Sequence, residues 1–258
     1  LNNKGLDLSL SAQIIRNKDW FWSMTLTGGH VMDQIRKISQ GLKNDIDNPY
    51  DSSKPKILFV EGGSQYDIYA MRSAGIDPAT GKEIFIKKNG EYTFKYDENE
   101  RVAVGNTNPI LQGSWMNTVR YKGFSISLAT SYTFGSDYYN STLKNKVENI
   151  DLDYNVDRRV FTDRWKQPGD HTRFLGIGTS SSSSQYSERF VEKRNELYIS
   201  SIQVMYDFAP KAITRLGLRK LAIGFGLSDI AHISTVKFER GTDYPYCRGI
   251  NLIFRPTF

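Results

Sequence analysis

Seven runs of alternating residues, joined by links that are by turns short and very long, constrain this chain more than any other feature. Large apolar residues occupy every second position, and Ser, Thr, Gly, Asn or charged residues fill the positions between. The runs are Leu6, Leu8, Leu10, Ala12, Ile14; Trp20, Trp22, Met24, Leu26; and Leu111, Trp115, Val119, Tyr121. They continue with Phe124, Ile126, Leu128, Tyr132, Phe134; Tyr198, Ile202, Val204, Tyr206, Phe208; and Leu221, Ile223, Phe225, Leu227. The last is Tyr246, Ile250, Leu252, Phe254, Phe258. A period of two is the signature of a strand with one apolar and one polar face. Aromatic residues gather at run ends, as in a strand whose apolar band lies between two interfacial girdles. A soluble sandwich also alternates, so alternation alone leaves both readings open.

The links discriminate better. Ile15–Asp19, Lys122–Gly123 and Ala209–Lys220 are short, whereas about 29–110 and 135–197 are very long and 229–245 is intermediate. Loops of that length are uncommon in compact soluble domains, but outer-membrane barrels have short turns at one end and long loops at the other. The expected fold is all-β, the C-terminal portion (about seven strands) of a large antiparallel transmembrane β-barrel with long extracellular loops. Strands are expected at about 5–15, 19–28, 111–121, 124–134, 198–208, 221–228 and 246–258 within one unit spanning 1–258. Seven strands do not close a bacterial single-chain barrel, which uses an even number, so the remaining strands are expected from a missing N-terminal part or from another chain.

Composition narrows the function class. The 258 residues carry a formal charge of +6 with no Lys/Arg run of five, so no nucleic-acid partner is implied. Cys247 is the single cysteine, which excludes an internal disulfide. No apolar stretch is long enough for a transmembrane helix, and the N-terminus lacks a signal-peptide pattern. His30, His171 and His232 lack metal-ligand spacing, and Ser180–Ser184 lack a nucleophile elbow, so no enzymatic role and no cofactor are expected. Asp151, Asp153, Asn155 and Asp157 alternate like the start of a calcium loop, but Val156 and Thr162 stand where Gly and Glu are needed. Tyr66, Tyr69, Tyr138, Tyr139, Trp165 and Tyr186 lie on or beside the long loops and are candidate ligand-binding aromatics, or loop packing. Gly224 and Gly226 on the polar face leave room for a plug or a substrate path, or merely relieve backbone crowding.

Six stretches together resemble the SusC/RagA family of TonB-dependent outer-membrane transporters. They are "NKGLDLSLSAQII", "AGIDPATGKEIF", "VGNTNPILQGSWMNTVRYKGFSISLATSYTFG", "DRWKQPGDHTRF", "SERFVEKRNELYISSIQVMYDF" and "YPYCRGINLIFRPTF". Pro256 departs from a regular final strand, because it removes a ladder donor. The resemblance implies a barrel of about twenty-two strands around a plug domain absent from this chain. It implies nutrient import of oligosaccharides or peptides with a SusD-like surface lipoprotein, powered through the TonB complex via the missing portion, in the outer membrane of a Bacteroidetes-like Gram-negative cell. Ile250, Leu252, Phe254 and Phe258 then resemble the signal read by the barrel assembly machinery, with membrane lipid against the apolar face. The alternative is a soluble or surface-attached β-rich glycan-binding protein or adhesin without transport.

Overall fold

The computed structural model describes residues 1–40, 59–150, 153, 156–178, 186–214, 217–237 and 248–258. Tyr246 and Ser180–Ser184 lie outside them. In chain order, β1 (Asn2–Arg16) and β2 (Trp20–Gln34) precede five short strands within the first long link. These are β3 (Asp67–Ala70), β4 (Arg72–Ile76), β5 (Glu83–Ile86), β6 (Tyr92–Thr93) and β7 (Val102–Asn106). Then come β8 (Leu111–Tyr121), β9 (Phe124–Tyr139), β10 (Val191–Asp207), β11 (Lys220–Ser234) and β12 (Gly249–Thr257). The principal sheet is seven-stranded in the order β1-β2-β8-β9-β10-β11-β12. Every neighbouring pair is antiparallel.

Register turns seven separate alternations into two continuous faces. Trp20, Tyr121, Phe124, Tyr206, Ile223 and Phe254 form one rung at the short-turn end. Met24, Asn117, Leu128, Ile202, Leu227 and Ile250 form a rung farther up the same face. The opposite face carries Ser23, Thr118, Ser127, Gln203, Gly226 and Asn251 in one rung. Asn117 is the polar exception within the apolar band, and the Trp22 indole donates to its Oδ1 at 3.4 Å. The apolar face is bare: Leu6, Leu252 and Phe254 are 75%, 85% and 64% exposed. A sheet folded against its own core would cover them.

Turns set the register. Lys122 adopts φ 50°, which a two-residue hairpin of the primed type requires. In the β1–β2 turn, Asn17 Oδ1 accepts from the Asp19 and Trp20 amides at 3.1 and 2.7 Å.

Two side chains differ from the strict alternation, and bulges are the reason. Ser200 is an extra residue in β10 opposite β9. Tyr198 therefore pairs with Ser131 and His232 on the polar face, while Leu197 and Ile199 join the apolar one. A register shift between Gln13 and Ile15 likewise leaves Ile14 unpaired and gives the apolar position opposite Trp22 to Ile15. A single inserted residue inverts everything beyond it because the side-chain period is two.

The strands also outrun the alternation at the long-loop end. β2 reaches Gln34, β9 reaches Tyr139, β10 begins at Val191 and β11 reaches Ser234. A 15-residue strand rises about 50 Å, or about 38 Å when tilted by ~40°, against an apolar band of ~25 Å. On β9 and β10 most of the surplus is polar on both faces, so a rule based on alternation stops short of it.

Candidate functional site

Above the sheet, the described residues of the links 35–110 and 140–190 dock against each other. Two turn-rich stretches make the joint. Asp77 caps its own turn, accepting from Thr80 Oγ1 at 2.6 Å and from the Ala79 amide at 3.2 Å. This presents Gly81 at φ 68°. The Trp165 ring lies on Gly81, where a Cβ would sit 2.5 Å from ring carbons. Trp165 Nε1 donates to the Pro78 carbonyl at 2.8 Å, and the Gly169 amide donates to it at 2.9 Å. Gly81→Ala meets both a left-handed backbone and the indole, so a loss of at least about 2 kcal/mol in loop docking is expected. Faster proteolysis of the two loops, with the sheet intact, is the measurement.

A buried apolar cluster of Leu143, Val147, Val160, Phe174 and Phe190 forms the loop core. Beside it Arg189 bridges two carboxylates from different loops. Its Nη2 donates to Glu83 Oε2 at 2.8 Å and to Glu148 Oε1 at 2.5 Å. Its Nη1 donates to Glu148 Oε2 at 3.0 Å and to the Arg173 carbonyl at 2.7 Å. Side-chain exposures of 8%, 4% and 1% for Arg189, Glu83 and Glu148 put the triad out of water. Burial alone pushes the Arg189 pKa down; the bonds from Glu148 and Glu83 outweigh it and hold the guanidinium charged. Ser187 Oγ also donates to Glu83, and the Met71–Ser187 bridge joins the loops through backbone. Buried Arg164 donates through Nη1 to the Leu175 carbonyl and through Nη2 to the carbonyls of Val147 and Glu148. Nothing in the spacing of Glu83, Glu148 and Arg189 marked them in the sequence; only the fold brings them together.

The six aromatic candidates divide. Tyr186 packs against Tyr139 with the rings tilted and their centroids 5.5 Å apart, and Lys144 Nζ stands 3.8 Å from the centre of the Tyr186 ring. Tyr139 also packs edge-on against Phe190. These two rings, and Trp165 on Gly81, are engaged in loop packing. Tyr66 presents its ring to solvent at 42% exposure, while Tyr69 and Tyr138 are half-buried. Tyr96, which sequence reasoning missed, packs on Phe85 at 5.6 Å. Burial, opposed by Arg101, pushes its phenol up to about 12 from 10.0. The folded state thus favours the neutral phenol, and its contribution is complete below pH ~10 and lost as pH rises through 12. Tyrosinate absorbance is expected to show a late-titrating group that Tyr96→Phe removes.

Below the loops, the polar face carries hydroxyls, glycines and a few charges. Tyr198 OH donates to Asp229, and His232 contacts Glu196. A Cβ at Gly226 would meet Asn251 at an ordinary contact distance of 3.7 Å; at Gly224 it would lie 2.8 Å from Met205. On the apolar face, Tyr132 crosses β8 and its hydroxyl donates to the Thr27 carbonyl at 2.6 Å. That carbonyl lies 1.9 Å from where a Cβ of Gly113 would be. Thr27 Oγ1 accepts from the Ser114 amide at 3.0 Å.

Of the calcium candidates, Asp151 and Asn155 lie outside the described residues. Asp157 is taken up by Arg159, whose Nε and Nη2 donate to it at 2.9 and 2.7 Å. On β12, Ile250, Leu252 and Phe254 line the apolar face, and Phe258 follows the strand at 79% exposure.

A bare apolar face, a polar face behind it and loops fused at one end define a wall segment of a large antiparallel β-barrel. Comparison with known proteins places it further: over most of its length it is similar to the C-terminal portion of SusC/RagA-like TonB-dependent transporters. A curated TonB-dependent receptor of Formosa agariphila is 23% identical over 275 residues, covering 89% of this chain and 26% of that protein. The RagAB peptide transporter superimposes with a TM-score of 0.70 at 18% identity, over 91% of this chain and 26% of that one. The RagAB peptide importer in its 'open-open' state gives 0.72 at 19%, over 91% and 25%. In its 'closed-closed' state it gives 0.71 at 20%, over 91% and 26%. These likenesses show the fold, and the chain spans about a quarter of the length of the proteins it matches. No family model matches it.

Proposed function

We propose that this chain supplies barrel wall and outer loops to an outer-membrane, TonB-dependent importer of oligopeptides or oligosaccharides. The carrying observation is the apolar band itself. From the Phe124 rung to Phe134 is ten residues, about 33 Å along the strand and about 25 Å vertically at ~40° tilt. That is the height of an outer-membrane barrel's lipid-facing band, and aromatics mark both limits. The short turns then lie in the periplasm and the loop body outside, with the Ser/Thr/Gly face toward the lumen. A SusD-like lipoprotein above the loop body, a plug within the lumen and the TonB complex beneath belong to this reading. So does an assembly signal at Ile250, Leu252, Phe254 and Phe258, and its support is the resemblance of the terminal stretch. Tyr66 is the candidate aromatic best placed to touch substrate, being exposed where Tyr139, Trp165 and Tyr186 are engaged in packing and Tyr69 and Tyr138 are half-buried. The soluble glycan-binding alternative requires a cover for the apolar face, which no described residue provides.

Neighbouring residues on opposite faces make the test. Ile202→Arg at mid-band is expected to cost about 2–4 kcal/mol of barrel stability, and Gln203→Arg close to nothing. Equal tolerance of both in detergent-folded full-length protein would remove the membrane reading. Uptake of labelled peptides and oligosaccharides by cells with and without the gene identifies the cargo; unchanged uptake of both would remove the import reading.

A further inference from the structure

We propose that a recess in the polar face near its upper end is a binding site for a primary ammonium group. The recess holds about 390 Å³ and is lined by Asp7, Ser9, Thr27, Gly29 and Gln112 together with backbone of Leu8 and Gly28. That volume is within the range of small-ligand pockets. Pairing places Asp7 opposite Gly29 and Gly29 opposite Gln112, so one rung supplies a carboxylate, a floor without a side chain and an amide. The rung below adds the Ser9 and Thr27 hydroxyls. The floor must be glycine: a Cβ on Gly29 would lie 2.4 Å from Asp7 Oδ1. The carboxylate thus lies flat across the neighbouring strand, into the recess.

The chemistry of the lining selects the ligand. Asp7 carries its one formal charge, and the lining contains no cation. Among the described residues no side chain donates to Asp7 or pairs with it. The Ser9 hydroxyl and the Gln112 amide carbonyl offer further oxygen acceptors beside that carboxylate, while Thr27 Oγ1 is engaged with Ser114. A compact donor with three N–H bonds and a positive charge matches this set, as charge-assisted bonds to a carboxylate are the strong ones. The recess lies at β1 and β2, with β1 the edge strand of the described sheet. It lies just below the loop body, where Asp33 accepts from the Ser64 hydroxyl and the Gln65 amide at 2.5 and 2.7 Å. In the import reading, on which this use of the site rests, the ammonium is the free N-terminus of an oligopeptide at the lumen mouth. The same chemistry is available from a lysine in the portion of the protein beyond this chain.

The test uses complete, detergent-purified protein, Asp7→Asn and Gly29→Ala, with an octapeptide and its N-acetylated form as probes. Wild type is expected to bind the free-amine peptide about 5- to 30-fold more tightly. Both variants are expected to lose that preference while affinity for the acetylated form stays unchanged. If the protein's own lysine fills the site, Asp7→Asn instead lowers the melting temperature by several degrees and leaves both peptide affinities alone. Retention of the amine preference in Asp7→Asn, or no change in either affinity or melting, overturns the proposal. Wild-type protein that binds neither peptide counts against peptide import alone, because the melting comparison still reads the ammonium site.

Discussion

Replacing Arg189 with methionine is expected to loosen the outer loop body by about 3–5 kcal/mol while the barrel melts as before. The reason is asymmetry. Methionine fills much of the volume but leaves Glu83 and Glu148 facing each other with side chains only 4% and 1% exposed. A buried carboxylate stripped of its partner bears its full desolvation cost, whereas a pair removed together does not. The triple variant Arg189→Met, Glu83→Gln, Glu148→Gln is therefore expected to recover most of the loss. Hydrogen exchange across residues 83–86 and 187–190 is the measurement. A single variant as protected as wild type would show that the triad does not hold the loops together.

Gly113→Ala is expected to cost the sheet about 3 kcal/mol or more and to deplete the folded, heat-resistant barrel species. The new methyl would meet the Thr27 carbonyl at 1.9 Å and the Tyr132 hydroxyl at 2.7 Å. Backbone on a paired strand cannot retreat without breaking ladder bonds, which in hydrocarbon find no water to replace them. Tyr132→Phe separates the components: it keeps the glycine and removes the donor at 2.6 Å, a loss expected near 1–3 kcal/mol. A Gly113→Ala protein that folds like wild type would show that Tyr132 and β2 shift freely there.

Much of the wall was legible in the residues. The apolar rungs through Phe124 and Leu128 follow from alternation, because every second side chain of a strand meets lipid or water directly. What alternation missed, it missed for local reasons. Tyr198 changed faces through one extra residue, Ser200, and a bulge leaves no compositional trace. The upper strand ends, from Gly135 to Tyr139 and from Val191 to Glu196, are polar on both faces and read as loop. The ligand candidates were chosen because they were aromatic and stood in the loops. Trp165 shows the limit of that rule, since the same property that suits a ring to a ligand suits it to Gly81.

The sequence by itself determined the two-faced sheet, the alternation of short turns and long loops and the resemblance to a transporter family. Those depend on near neighbours and on a solvent that acts on each residue separately. Only the tertiary structure decided that Glu83, Glu148 and Arg189 share one ion cluster, that the "DPATG" turn receives Trp165, and that the Asp7 carboxylate lies over Gly29. Each of these joins residues far apart in the chain or side by side across strands. Charge, steric room and desolvation act through space, and a linear pattern records none of them.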